Sequence, residues 1–314
     1  MVDLPEFVHT NPLANALRRI RSRRTYRRTD GASSESYWSG THVDAPSAGF
    51  ASVAESLSHY KWRNAMYPGY IELMPTSSAD GLSVLDYGCG PGNDLVGFGH
   101  HSKPAALHAA DVSTHSLGLA RARAALHGIS VTFHHTSEAT SKVDLPDQSI
   151  DLIHCAGVLH HLPDPALALR EWRRILKPAG RAQVMVYHRD SIWLHLHVAY
   201  DLQIRKGMYP GMTALEAFHR TTDGEGCPIA NCYGAEEFQA ICAASGFACR
   251  LSGVAMSLLE LRAMPRRWDA LGDKRLPDAH REFLYHLALN DHGWPVSNGR
   301  VAGLNACFML TVEG

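Results

Sequence analysis

The chain has 314 residues, and its 30 Lys+Arg against 31 Asp+Glu give a formal charge of −1 with histidine counted as neutral. With 45% hydrophobic and 19% charged residues, the composition is typical of a globular protein and excludes a disordered or fibrous chain. The balanced charge argues against nucleic acid as a partner, because nucleic-acid-binding domains usually carry a basic excess. No apolar run of about 18 residues occurs, so no membrane span is expected.

The cysteine content and the N-terminal sequence bear on the compartment. Seven cysteines, an odd number in a long chain, favour reduced thiols over a disulfide framework. The N-terminal residues show no apolar core behind a basic start, so no secretory signal is expected. We therefore expect a cytoplasmic protein. Its 20 histidines raise the question of metal binding or acid–base chemistry.

The first 49 residues are predicted to form an Arg-rich N-terminal arm and a linker. Seven arginines lie between Arg18 and Arg28, and residues 29–49 are rich in Ser, Gly, Thr and Ala. Two interpretations of the arginines remain open. They form a patch for anionic partners, or they are a solvated arm.

Residues 50–190 are predicted to form an α/β core. A helix-like stretch at 50–74 precedes a regular alternation of strands and helices, which favours a doubly wound, mostly parallel sheet with helices on both faces. The strands are predicted at 82–86, 105–110, 130–135, 150–155 and 181–187. The intervening helices are predicted at 93–100, 113–127 and 165–176.

Two segments interrupt this alternation after residue 190. Residues 191–246 are predicted to form a mostly helical cap insertion. Residues 247–314 are predicted to supply the last two strands, at 247–255 and 302–312, separated by a second helical insertion. Insertions over one face of a core are a common way to build a lid.

The most informative segment is the glycine turn after the first strand, VLDYGCGPGN at 84–93. Glycines at such a strand end let the backbone turn tightly and approach a ligand closely. A dinucleotide site needs the spacing G-x-G-x-x-G, but here the third glycine is Gly92 and position 93 is Asn. The Asp86 carboxylate would repel a pyrophosphate and suits a ligand with an ammonium and a sulfonium group. The dinucleotide interpretation is therefore disfavoured.

Three segments together resemble the class I S-adenosylmethionine-dependent methyltransferases, most closely the ubiquinone/menaquinone-biosynthesis (methyltransferase type 11) subgroup. VLDYGCGPGND resembles the first motif of that family, while IDLIHCAGVLHHLPDP and EWRRILKPAGRAQVMVY resemble its fourth strand, next helix and fifth strand. The resemblance covers residues 80–190 well and the late strands loosely. It implies a seven-stranded Rossmann-like sheet and S-adenosylmethionine as cofactor.

The resemblance also implies cofactor-binding positions. Asp86, Gly88 and Gly90 would hold the methionine part, largely through backbone groups, and Asp111 would accept hydrogen bonds from the ribose hydroxyls. The remaining implied contacts are Ser137 and Glu138 for adenine, Cys155 and Ala156 along the cofactor, and Arg63 for its carboxylate. Three alternatives stay open: Asp111 as a helix cap, Cys155 as a small buried hydrophobe and Arg63 as an ordinary surface arginine.

The acceptor site of this family lies beyond strands four and five, where histidines occur in this chain. His161 follows the fourth strand and His188 the fifth, and both are candidates for a general base that removes an acceptor proton. Alternatively, the His160–His161 step only shapes its loop.

Metal binding is not expected from the cysteine spacing. Cys227, Cys232 and Cys242 form C-x4-C and C-x9-C steps near His219, and these are not the paired C-x2-C pattern of a structural zinc site.

The function expected from the sequence is methyl transfer to a small-molecule acceptor, with a hydroxyl oxygen of a metabolite, sugar or natural product as the favoured acceptor atom. The alternatives are an RNA or protein methyltransferase that uses the Arg-rich arm, transfer to nitrogen or carbon, and a scaffold without activity. A homodimer is one option for the oligomeric state.

Overall fold

The computed structural model describes residues 34–41, 49–137, 139–224 and 226–313. The Arg-rich arm and the predicted adenine contact Glu138 therefore lie outside the described residues. Across these ranges, no helix combines the length and the apolar character that crossing a membrane requires.

A seven-stranded sheet forms the centre of the molecule, in the order β3-β2-β1-β4-β5-β10-β6. Neighbouring strands are parallel except at β10, which runs antiparallel to both β5 and β6. This confirms the predicted doubly wound, mostly parallel sheet. The strands are β1 Ser83–Tyr87, β2 Ala106–Asp111, β3 Thr132–His135, β4 Ile150–Ala156, β5 Leu176–Tyr187, β6 Phe247–Ala255 and β10 Asn305–Val312.

Helices connect the strands and cover the sheet. They are α1 Ser34–Gly40, α2 Val53–Ala65, α3 Tyr70–Leu73, α4 Asn93–His101, α5 Thr114–Leu126, α6 Pro165–Ile175, α7 Ala214–Thr221, α8 Ala235–Ala244, α9 Leu258–Ala263, α10 Arg267–Gly272 and α11 Asp278–Tyr285. A 3-10 turn, Leu159–His161, follows β4, and a π-helix, Trp193–Arg205, follows β5.

The two faces of the sheet bury separate apolar clusters. Trp172 of α6 and Phe238 of α8 belong to one cluster, and Leu95 and Phe98 of α4 belong to the other. All four side chains are almost completely buried, and burying a side chain of this size contributes about 1.5–3 kcal/mol. The strand ends are therefore held on a rigid platform.

Two predicted boundaries differ from the structure. The stretch predicted as one helix at 50–74 forms two helices, because α2 ends at Ala65 and α3 begins only after Gly69, which has a φ of 79°. Pro68 between them has no amide hydrogen for a helical hydrogen bond. The strand predicted to begin at residue 181 begins at Leu176, directly after α6, and its pairing with β4 shifts register between Ile150 and Leu152.

The two insertions are packed differently along their length. The π-helix and α7 form a further apolar cluster with α11, separate from the two on the sheet. This cluster includes Leu194, Phe218 and Leu284. In contrast, α8 packs against the sheet through Phe238 and Cys242, although the predicted cap extended to residue 246. The second insertion contains a small sheet besides its helices: β7 Ala288–Leu289, β8 Pro295–Ser297 and β9 Arg300–Val301.

Candidate active site

The strand order creates a crevice at one edge of the sheet. β1 lies between β2 and β4, so the chain connections leave β1 in opposite directions. Because these strands are parallel, Tyr87, Asp111 and Ala156 end their strands at the same edge. Ligands of doubly wound sheets bind at such a switch point, where the glycine turn follows β1.

Gly88 and Gly90 have different roles in the turn. Gly88 has a φ of 78°, and a Cβ built on it would lie 2.1 Å from Cγ2 of Val158, so this glycine allows the loop after β4 to pack closely. Gly90 has a φ of 50°, and its Cβ would meet no atom within 4 Å. The open space that a ligand can approach therefore lies at Gly90.

The amide groups of the turn are engaged within the protein. The Gly88 and Cys89 amides donate to the Ala110 carbonyl at 2.7 and 3.0 Å. The Gly90 amide donates to Oδ2 of Asp111 at 2.8 Å. The turn is therefore fixed to the end of β2 through these bonds.

Asp111 is buried at the end of β2, and burial raises the pKa of its carboxyl. Its Oδ1 accepts a hydrogen bond from the Ser113 amide at 2.8 Å. The cap of α5 is Ser113 itself, whose hydroxyl accepts from the Ser116 amide. Each carboxylate oxygen has a second lone pair, so Asp111 can shape the turn and still accept a ligand hydroxyl.

Asp86 is a buried carboxyl whose ionisation is opposed by burial. Its side chain lies at the end of β1, and Oδ2 has no hydrogen-bond partner in the described residues. Burial, with Asp94 and Asp111 nearby, raises the pKa of this carboxyl to about 7 although His154 opposes the shift. A cationic group of a ligand would remove the cost of this unpaired acceptor.

Arg63 of α2 is held in place over the same end of the sheet. Its guanidinium lies 3.6 Å from Asp94 Oδ1 and 5.1 Å from the ring centre of Tyr70. Asp94 also contacts Nε2 of the buried His154 at 3.2 Å. Although burial alone would raise the pKa of Asp94, Arg63 and His154 hold it well below its usual range. A ligand carboxylate would share Arg63 with Asp94.

The other predicted cofactor positions differ in their access to the crevice. Cys155 is fully buried in the core beneath the sheet edge, where burial strongly raises the pKa of its thiol, so its side chain serves packing. Ala156 is half-buried beside Met185. Ser137 is exposed in the turn after β3.

His161, at the end of the 3-10 turn after β4, is buried, and both of its ring nitrogens face oxygen atoms. Its Nδ1 lies 2.5 Å from the Ile229 carbonyl, and Nε2 lies 3.7 Å from Oδ2 of Asp223. Cys227 Sγ is 3.8 Å from Nδ1 of the same ring. The neighbouring His160 instead stacks on Tyr187 with ring centres 3.7 Å apart, so the loop-shaping role belongs to His160.

Helix α1 joins the crevice to this histidine. Trp38 has its ring centre 4.7 Å from that of His161, and the Tyr37 hydroxyl donates to the Asp223 carbonyl at 2.5 Å. On the other side, Ser39 Oγ lies 3.0 Å from Ser113 Oγ, next to Asp111. The helix therefore spans from the end of β2 to the cap.

His188 points away from Asp223. Tyr187 directs its hydroxyl to Asp223 Oδ1 at 2.9 Å, and the next residue of an extended segment points to the opposite side. The His188 ring is buried, and burial lowers its pKa although Asp190 and a hydrogen bond with the Gly303 backbone oppose the shift. The structure does not bring the two predicted bases together.

The comparisons with known proteins agree on one segment. Residues 84–180 match the family described as "Methyltransferase domain".

This segment is a methyltransferase domain.

Curated relatives resemble the methyltransferase domain over part of their length. A probable methyltransferase, ltbC, from Aspergillus luteorubrus is 33% identical over 123 residues, covering 36% of this chain and 41% of the relative. A ubiquinone biosynthesis O-methyltransferase from Pseudomonas paraeruginosa is 28% identical over 145 residues, covering 43% of this chain and 61% of the relative. The chain thus spans about two to three fifths of these proteins.

A solved structure shows the same fold. It is a Haemonchus contortus phosphoethanolamine N-methyltransferase 2 in complex with phosphomonomethylethanolamine and S-adenosylhomocysteine. Its TM-score is 0.51 at 16% identity, and the match covers 90% of this chain and 60% of that chain. The sheet order and this match establish the class I methyltransferase fold, as expected from the sequence.

S-adenosylmethionine is the cofactor indicated by the methyltransferase domain and its fold. Two features of the crevice fit this molecule. The unpaired Asp86 oxygen suits its ammonium group, and the open space at Gly90 admits a ligand next to the backbone.

One residue of the site was missed by sequence reasoning. Asp223 lies in the first insertion, 62 positions after His161, and only the folded cap brings the two together. The two glycines that follow it, in DGEG at 223–226, marked a turn but gave no sign of what the carboxylate faces.

Proposed function

We propose that this protein is an S-adenosylmethionine-dependent methyltransferase that acts on a hydroxyl oxygen of a small molecule. The observation that carries this proposal is the position of α1. It connects the ribose side of the crevice, at Ser113, with the His161–Asp223 pair. An acceptor enclosed at that pair is close to the cofactor crevice and covered by the same helix.

The chain's own residues divide the work of binding the cofactor. Asp86 is proposed to bind the ammonium group, Asp111 the ribose hydroxyls and Arg63 the carboxylate. When bound, S-adenosylmethionine supplies an electrophilic methyl group on its sulfonium. The roles of Ser137, Glu138, Cys155 and Ala156 along the cofactor stay predictions.

His161 is proposed to receive the acceptor's proton. Since Nδ1 donates its hydrogen to the Ile229 carbonyl, the neutral ring carries its lone pair on Nε2 and can accept a proton there. The Asp223 carboxylate, 3.7 Å away, would stabilise the imidazolium that forms. The separate location of His188 favours His161 over the other predicted base.

The favoured acceptor is a metabolite, sugar or natural product, and transfer to nitrogen or carbon is the alternative. The N-methyltransferase that shares the fold shows that this architecture accommodates an amine substrate. A cytoplasmic location is proposed because all seven cysteines are free thiols. A homodimer stays a prediction.

Methyl transfer from labelled S-adenosylmethionine to panels of hydroxyl, amine and carbon acceptors, and to RNA and protein, tests this function. We expect label in a hydroxyl compound, and the variant His161→Asn to lose about 10²–10⁴-fold in kcat. His188→Asn should lose far less than His161→Asn. Label found only in RNA, protein or an amine, or equal losses in both variants, would contradict the proposal.

A further inference from the structure

Three potential metal ligands converge beneath α1. His161, Asp223 and Cys227 each offer one ligand atom, and these atoms lie within 4.8 Å of one another. They come from the 3-10 turn after β4 and from the loop after α7. No metal site was expected because the cysteine spacing does not match a structural zinc site, whereas the fold brings Cys227 close to a histidine and an aspartate.

An unsatisfied carboxylate oxygen is the second observation. The Asp223 side chain is only 3% exposed, and its Oδ2 has no hydrogen-bond partner in the described residues. It faces His161 Nε2 at 3.7 Å, which is too long for a hydrogen bond. When the His161 ring is neutral and its Nδ1 donates to the Ile229 carbonyl, Nε2 is an acceptor, as is the Asp223 Oδ2 that it faces. A cation between these two atoms would satisfy both.

The outer contacts of the cluster match those of metal sites. A metal-binding histidine usually donates its other ring N–H to a carbonyl or carboxylate, as His161 does to Ile229. Ligating carboxylates are themselves hydrogen-bonded, as Asp223 Oδ1 is to the Tyr187 hydroxyl at 2.9 Å. Both ligands are therefore held in orientation before an ion arrives.

Cys227 determines which ion fits. Sulfur, imidazole nitrogen and carboxylate oxygen together are the ligand types of Zn²⁺, whereas Mg²⁺ and Ca²⁺ prefer oxygen alone. We propose that His161, Asp223 and Cys227 bind one Zn²⁺-like divalent cation. Three protein ligands leave a fourth position of a tetrahedral site open, which is the arrangement of catalytic rather than structural zinc.

Binding of the ion has a proton balance. A cysteine binds a metal ion as the thiolate, whereas a metal-free thiol below its ordinary pKa of about 8.5 carries a proton. Coordination forms a sulfur–metal bond and releases that proton to solvent. If the proposed function holds, His161 would be a ligand rather than a base while the ion is bound. The ion would then take over the task of the base by lowering the pKa of an acceptor hydroxyl at the open position, and the hydroxyl proton would pass to solvent.

Cobalt substitution tests the site without any activity measurement. The purified full-length chain is stripped with a chelator and titrated with Co²⁺. We expect one ion per chain with a sulfur-to-cobalt charge-transfer band in the near ultraviolet, and Zn²⁺ should displace the Co²⁺ and abolish the band. Titration of Zn²⁺ in buffers of different ionisation enthalpy should show release of about one proton.

Matched variants test whether these three side chains, rather than others in the chain, bind the ion. Cys227→Ser should lose the charge-transfer band, and Asp223→Asn should weaken Zn²⁺ binding by more than about 100-fold. Cys232→Ser, a buried cysteine of the same insertion, should keep both signals. Tyr187→Phe should weaken binding by roughly 10–100-fold because it frees the carboxylate.

The result distinguishes this proposal from the proposed function. Absence of the band in the unmodified chain, or an unchanged band in Cys227→Ser, overturns the metal site and leaves the methyltransferase proposal untouched. Circular dichroism and S-adenosylhomocysteine binding of each variant show that the fold is intact. Zn²⁺ binding by a variant that no longer binds S-adenosylhomocysteine would still support the site.

Discussion

Asp86 is the residue whose charge most clearly depends on a ligand. Its carboxyl has a pKa of about 7 in the free protein because it is buried without a partner for Oδ2. A bound ammonium group favours the ionised form, so binding at low pH must first remove a proton from the free protein. Affinity therefore falls as pH drops below the raised pKa.

The first prediction follows from this linkage. The affinity of the unmodified protein for S-adenosylhomocysteine should decrease by up to about tenfold per pH unit from about pH 7 downward. Asp86→Asn should bind more weakly at about pH 8 but with a much flatter pH profile. Calorimetry at several pH values measures both, and parallel profiles of the two proteins would rule out this role for Asp86.

Gly88 gives a prediction on stability. An alanine there must adopt a positive φ, and its Cβ would collide with Val158. Gly128→Ala, at a φ of 66° with no atom within 4 Å, carries only the conformational cost of about 1–2 kcal/mol. Gly88→Ala should lower the free energy of unfolding by about 1–3 kcal/mol more than Gly128→Ala does. Chemical denaturation compares the two, and equal losses would show that the contact with Val158 costs nothing.

At the scale of single residues, the sequence located the crevice but not the whole site. Asp86 and Asp111 could be named as candidates because a glycine turn and a strand end are local features that a motif can encode. Asp223 escaped because its role depends on a contact across the cap. His161 and His188 were two separate candidates for the base, and the sequence did not distinguish them; side chains alternate along β5, which directs Tyr187 and not His188 to Asp223.

Among the elements, α1 has the largest consequence for function. Trp38 is half-buried between α5 and His161, and its backbone carbonyl accepts from Ser116 Oγ at 3.4 Å. We propose that this short helix covers the crevice and excludes water from it. Reaction in the crevice benefits because electrostatic interactions strengthen where water is excluded.

Substitution of this tryptophan tests the cover. Trp38→Ala should weaken S-adenosylhomocysteine binding roughly fivefold, because about 1 kcal/mol of apolar burial is lost. Trp268→Ala, which removes a tryptophan that is 69% exposed on α10, is the matched control and should bind normally. Calorimetric affinities decide between them. Equal affinities in both variants would mean that α1 does not cover the bound ligand.

The strands and most helices were predictable because their signals are periodic and local. The predicted helix 50–74 is divided between Ala65 and Tyr70, where Pro68 and the positive φ of Gly69 outweigh the helical pattern around them. The early start of β5 depends on pairing with β4, which a single strand's sequence does not report. Similarly, α8 has the sequence of an insertion but packs in the main core.

For the whole molecule, the sequence predicted a doubly wound, mostly parallel sheet of seven strands, and the strand order confirms it. The Arg-rich arm lies outside the described residues, so its role stays a prediction with two interpretations. The insertions build their own apolar cluster, and together with α1 they bring His161 and Asp223 into one buried site beside the crevice. Specificity for the acceptor is therefore proposed to reside in the insertions.

Calorimetric titration with S-adenosylhomocysteine is the most direct test of the cofactor crevice. We expect one molecule per chain, and Asp111→Asn should weaken binding by roughly 10–100-fold because hydrogen bonds to a charged acceptor are lost. Asp278→Asn, at an exposed carboxylate on α11, should bind as the unmodified protein does. No binding by the unmodified protein, or equal affinity in Asp111→Asn, would contradict a cofactor site at the ends of β1 and β2.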